Sequence, residues 1–82
     1  MNVEKLSFFD GKITIDADVC NGEPTIRGQR ITVQTILEFL SAGESNEEIL
    51  KQYPALTQED IQTCLAFATQ LMEQKYSLQK IA

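Results

Sequence analysis

Apolar residues in this chain follow two different rhythms. Ile13-Thr14-Ile15 alternates as a half-buried strand does, and Phe8-Phe9 precedes it across Asp10-Gly11, a turn signal. Together they predict a short hairpin over residues 7–16, with residues 1–12 forming a loosely tied arm. Residues 16–22 are polar and turn-rich. Pro24 then fixes its own φ and holds Glu23 extended, Thr25-Ile26 suits a strand, and Gly28 permits a left-handed turn.

From Val33 the spacing becomes helical. Val33, Ile36, Leu37 and Leu40 fall at i, i+3, i+4 and i+7, with Phe39 widening that face. Thr32 is placed to cap this first helix, over 33–42, and Gly43 to end it. Ser45 with Glu48 three residues on announces a second helix over 46–52, with Ile49, Leu50 and Tyr53 inward and Pro54 as its stop. A third opens at Thr57, with Asp60 in the capping-box position and Leu56 and Ile61 placed as a hydrophobic staple. Its stripe is Ile61, Cys64, Leu65, Ala68, Leu71 and Met72, with Phe67 on the shoulder, and it is expected to end near residue 76. The fold class is therefore mainly α. A small helix-turn-helix-like three-helix domain (13–76) follows a short β-hairpin or β-arm (1–12) and precedes a C-terminal tail (77–82). Two short helices cannot cover the whole stripe, so its part from Leu71 to Ile81 is either a dimer surface or the seat of the N-terminal arm.

Eighty-two residues bury only about 60–65% of the unfolded chain's surface, so oligomerisation is an expected source of stability and a homodimer is the expected form. Cys20 and Cys64 are far apart and histidine is absent, which argues against a zinc site. Cys64 reads as a core residue and Cys20 as a free loop thiol. Asp16 and Asp18 stand two apart, but the rest of a calcium-loop pattern is missing. The expected cofactor set is none. No membrane-length apolar run or basic-then-apolar leader occurs, so the chain reads as cytoplasmic.

Seven basic and twelve acidic residues give a net charge of −5, with no basic stripe. Nucleic-acid affinity from phosphate neutralisation should accordingly be weak. The second and third helices have helix-turn-helix spacing, and Thr57 and Gln58 would be the base-reading positions, but Glu59 and Asp60 beside them would repel phosphate. Arg27 and Arg30, the only arginines, flank Gly28 and Gln29. These four residues either brace the fold, by arginine pairing with Asp16, Asp18 or Glu23, or reach outward to phosphate or an acidic partner. Glu47 and Glu48 form an acidic face suited to a basic partner. With no histidine, phosphate loop, nucleophile signature or metal set, the chain is not expected to be an enzyme.

The run from Ile13 through C-N-G-E-P-T-I-R-G-Q-R-I-T-V, followed by L-S-A-G-E-S-N-E-E-I-L-K-Q-Y-P-A-L-T-Q-E-D-I, resembles the domain-of-unknown-function family 433 over about residues 13–70. The family pattern falls on Pro24, Ile26, Arg27, Gly28, Arg30, Ile31, Val33, Gly43, Tyr53, Pro54, Leu56 and Ile61. Gln29 departs from it, standing where the family usually has Thr, and a second glycine common near Asn21 is absent. The resemblance implies a small, often dimeric helix-turn-helix domain after short strands, and bacterial antitoxin-like biology beside a toxin with a PIN-like nuclease domain. The alternative is a DNA-binding transcriptional regulator, acting on its own operon, that uses the Arg27/Arg30 arm and the helix-turn-helix.

Overall fold

The structure is a computed structural model that describes the backbone of residues 5–81 and side chains as far as Gln74. Strands β1 (Lys5–Phe8), β2 (Ile13–Asp16) and β3 (Thr25–Ile26) form an antiparallel sheet in that order. Phe8 lies opposite Ile13 across β1–β2, and Ile13 lies opposite Ile26 across β2–β3. The expected hairpin is therefore present, and the sheet gains a third strand. The turn works because Asp10 and Gly11 take φ of 56° and 86°, the left-handed pair that a tight hairpin needs. Phe9 also turns left-handed, at φ 55°, so it leaves the strand that it was expected to extend.

Three helices follow: α1 (Val33–Ser41), α2 (Asn46–Gln52) and α3 (Gln58–Ile81). Thr32 caps α1 by accepting from the Thr35 amide at 3.1 Å. At its other end Gly43 takes φ 93°, while the Gly43 and Glu44 amides donate to the Leu40 and Phe39 carbonyls, a Schellman closure. Ser45 caps α2 through the Glu48 amide at 3.1 Å. At α3 the capping box is complete: the Asp60 amide donates to Thr57 Oγ1 at 3.2 Å and the Thr57 amide to Asp60 Oδ2 at 2.9 Å.

Ile13, Ile26, Val33, Ile36, Ile49, Leu56, Ile61, Cys64 and Phe67 form the core, so each strand and helix except β1 supplies a buried side chain. Phe8 of β1 packs edge-on against Phe67, ring centres 5.4 Å apart. That contact corrects the expected orientation of α3. Phe67 is buried and Leu65 is 46% exposed, the reverse of their expected places, because Asp60, Cys64 and Phe67 face the sheet and turn Leu65 to the flank. Leu71 and Met72 are also exposed.

Two expected domain boundaries shift. β1 is hydrogen-bonded into the sheet, so the arm expected to end at residue 12 belongs with the domain from residue 5 onward. α3 passes residue 76 because residues 77–81 contain neither glycine nor proline to stop it. The remainder of the expected dimer stripe, beyond Gln74, and the first four residues of the arm lie outside the described side chains and backbone. Among the described residues, no helix is long and apolar enough to cross a membrane.

Candidate functional site

The stretch from Pro24 to Val33 is a tight loop closed on itself. The Val33 amide donates to the Pro24 carbonyl at 3.0 Å, Ile26 to Ile31 at 3.1 Å and Gln29 to Ile26 at 2.9 Å. Arg27 and Gly28 at its tip take φ of 51° and 73°. A left-handed conformation is routine for glycine but costs a non-glycine residue on the order of 1 kcal/mol or more. Arg27 holds it because its amide donates to the Lys12 carbonyl at 2.9 Å and its side chain is gripped from the other side of the molecule.

That grip involves Asp60. Arg27 Nε donates to Asp60 Oδ1 at 3.1 Å, and Nη2 donates to Asp60 Oδ2 and to the Ala55 carbonyl, each at 2.8 Å. The guanidinium fork meets the carboxylate with two parallel bonds, the strong form of this pair. Asp60 is almost fully buried, and burial pushes its carboxyl up; the Arg27 and Thr57 hydrogen bonds and the Arg27 charge outweigh this and leave it below its ordinary value. The same pair raises the Arg27 pKa, chiefly through the hydrogen bond to Asp60. A second ion pair, Lys12–Glu59, ties the β1–β2 turn to the same end of α3.

Arg27 is thus a brace, and its partner is none of the three acids expected. Asp16 pairs with Lys5 at 3.7 Å and accepts the Asp18 amide at 2.9 Å, while Asp18 and Glu23 meet neither arginine. Arg27 is engaged with Asp60 and the Ala55 carbonyl while its side chain remains 38% exposed. Arg30 is exposed and makes no ion pair among the described residues; Gly28 is exposed and Gln29 half-buried beside it. The arginine pair divides into one cation held by Asp60, its side chain still partly exposed, and one exposed cation with no ion pair among the described residues.

Thr57 and Gln58 are exposed at the start of α3, where DNA-reading side chains were sought. The Thr57 hydroxyl is engaged in the capping box, and the Glu59 and Asp60 carboxylates next to it already hold the chain's own cations. Glu47 and Glu48 are exposed in the first turn of α2. Among the described residues no three Cys, Asp or Glu side chains converge as metal ligands. Cys20 is half-buried in the Cys20–Gly22 turn, and Cys64 is fully buried, its thiol pushed up to about 11 by burial and then by Asp60.

Asp60 was placed correctly as a capping residue, but its second role was missed. Arg27 and Asp60 are far apart in sequence, and nothing local to either names the other. The left-handed turn at Gly28 was the only available signal, since it aims Arg27 back toward the body.

Comparison with known proteins agrees with this architecture. A crystal structure of a DUF433 member protein from Anabaena variabilis is similar over 78% of this chain and 63% of that one, with 36% identity and a TM-score of 0.72. The uncharacterized protein y4eO of Sinorhizobium fredii is 32% identical over 56 residues, which are 68% of this chain and 25% of y4eO. The chain thus spans about a quarter of that relative's length. The family described as "Protein of unknown function (DUF433)" matches residues 13–68, from the start of β2 to one residue past Phe67, the last described core residue of α3. The chain belongs to the DUF433 family.

Proposed function

We propose that the protein is an antitoxin-like interaction module, acting in the cytoplasm, that binds and neutralises a PIN-like nuclease by contact and without catalysis of its own. The nuclease as partner comes from the family resemblance. The observation that favours a protein partner over DNA is the pairing of Arg27 with Asp60. With that cation offset by Asp60 and Lys12 paired to Glu59, the exposed charge near the helix pair is dominated by Glu47 and Glu48 on a chain of net charge −5. Such a surface complements a basic RNA-binding groove and speeds its encounter.

The test is affinity purification of the tagged protein from its host, followed by a cleavage assay on what it retains. The expected result is one stoichiometric nuclease whose RNA cleavage the protein suppresses, with suppression weakened by Glu47→Lys/Glu48→Lys. Recovery of no nuclease, or of a nuclease whose cleavage is unaffected, contradicts the reading.

Exposed Arg30 favours a second, smaller role as a backbone contact to operator DNA. One phosphate per protomer gives a salt slope of only about −0.9. A mobility shift that weakens more steeply than a dimer's two contacts allow would put the binding elsewhere on the surface.

A further inference from the structure

We propose that the outer edge of β1 takes an extended segment of a partner protein as a fourth strand, with an apolar side chain of that segment seated in the hollow beside Ser7. This goes beyond the nuclease reading and holds for any partner that offers such a segment.

The register decides which backbone groups are free. Residues in an antiparallel pair of strands alternate between those that exchange hydrogen bonds and those that do not. The Arg27 amide donates to the Lys12 carbonyl, so Thr14 and Thr25, two residues along each strand, are the next bonded pair. Ile13 and Ile15 then turn their N–H and C=O groups the other way, to Phe8 and Leu6 of β1. Lys5 and Ser7 alternate with these and direct theirs away from the sheet. Among the described residues no strand lies beyond them.

The opposite edge of the sheet is closed by the chain itself. There the Ile26 amide donates to the Ile31 carbonyl and the Val33 amide to the Pro24 carbonyl. Open strand edges are commonly blunted by charge, proline or a bulge, and β1 has only Lys5, already paired with Asp16. Such an edge matches an extended backbone, whose own N–H and C=O groups repeat at the same spacing.

Beside the edge is a place for a side chain. Ser7, Thr14 and Thr25 stand in one row across the three strands, on the face opposite Ile13 and Ile26. Burial deepens along the row, from exposed Ser7 through half-buried Thr14 to buried Thr25. A hollow of about 400 Å³ lies along it, walled also by Lys5, Asp16 and Val19. Thr25 Oγ1 donates to the Thr14 carbonyl at 3.3 Å and lies 3.2 Å from Thr14 Oγ1. With these hydroxyls spent on each other, a β-branched apolar side chain suits the space better than a charged one. A residue of the added strand opposite Ser7 shares this face and leans over the small serine into the hollow. A second copy of β1 cannot fill it, because Lys5 and Ser7 are the only residues that strand turns to this face.

NMR on the full chain, titrated with a capped peptide of alternating threonine and valine, tests this. The expected result is a shift of the Lys5 and Ser7 amide signals and slower exchange of both with solvent. The Leu6 and Phe8 amides, already in the ladder, should change little. Ser7→Pro removes one outward N–H and leaves the β1–β2 bonds in place, so it should weaken binding about tenfold. Should that variant misfold, a chain N-methylated at Ser7 and assembled by ligation at Cys20 serves the same purpose. A peptide with alanine in place of valine leaves the hollow unfilled and should bind more weakly. No response of Lys5 and Ser7 up to millimolar peptide overturns the proposal, as does binding indifferent to loss of the Ser7 N–H. Equal binding of the alanine peptide overturns the role given to the hollow. Protection of Ser7 that rises with protein concentration alone makes a second copy the occupant and overturns the choice of partner.

Discussion

The two halves of α3 handle their side chains in opposite ways. From Gln58 to Phe67 the helix is capped at both positions of its box, joined to the sheet by Arg27–Asp60 and Lys12–Glu59, and sunk into the core through Ile61, Cys64 and Phe67. From Ala68 onward its described apolar residues, Leu71 and Met72, face outward, and no described ion pair holds it. The difference teaches how a small domain divides one helix between an anchored half and an exposed one. Charged groups that look available for binding are used to fix the near half. Apolar groups that look like core, Leu65 on the flank of the near half and Leu71 and Met72 on the far half, stay exposed.

Truncation should separate the halves most sharply. Ile61→Ala removes a fully buried side chain and should cost about 2–5 kcal/mol in chemical denaturation. Leu71→Ala should stay within about 0.5 kcal/mol. Equal losses at the two sites would erase the contrast.

The arginines come next. Arg27→Ala leaves Asp60 buried without its charged partner and should cost about 1–3 kcal/mol, whereas Arg30→Ala should be nearly silent. The effect also has a pH signature. Asp60 titrates below its ordinary value in the folded chain, so its contribution is complete above the unfolded value near ~3.9 and is lost as pH falls through the folded one. Stability curves of the wild type and of Asp60→Asn should therefore differ at neutral pH and converge in strong acid. A gap that persists unchanged to low pH would remove the charge from the explanation.

A smaller effect is expected at Gly28. A Cβ there meets nothing within 4 Å, so Gly28→Ala tests only the φ of 73° and should cost about 1 kcal/mol. The least energetic test is chemical. Iodoacetamide should label Cys20 in the native protein and spare Cys64, which is sealed in the core with its thiol raised to about 11. Native labelling of Cys64 would mean that the near half of α3 opens readily.

Much of the fold was legible because its signals are local. Thr32, Ser45 and Thr57 with Asp60 mark helix starts within three residues of the amides they cap, and Asp10-Gly11 marks the hairpin turn by the backbone that it permits. The pairing of β3 with β2 was not legible, since Thr25 finds Thr14 only after the polar connection folds back. Phe67 and Leu65 exchanged their expected places because helical spacing defines a stripe but not its rotation, which the Phe8 ring settles from the arm. The site was read least well for the same reason. Arg27 stood out as a charge, but which charge it meets depends on the approach of the α2–α3 turn.

Amide hydrogen exchange along α3 bears most directly on the division of the helix. Amides from Ile61 to Phe67 should exchange slowest, because Ile61, Cys64 and Phe67 are packed in the core. Those from Thr69 to Gln74 should exchange markedly faster. Equal protection of both segments would contradict the account.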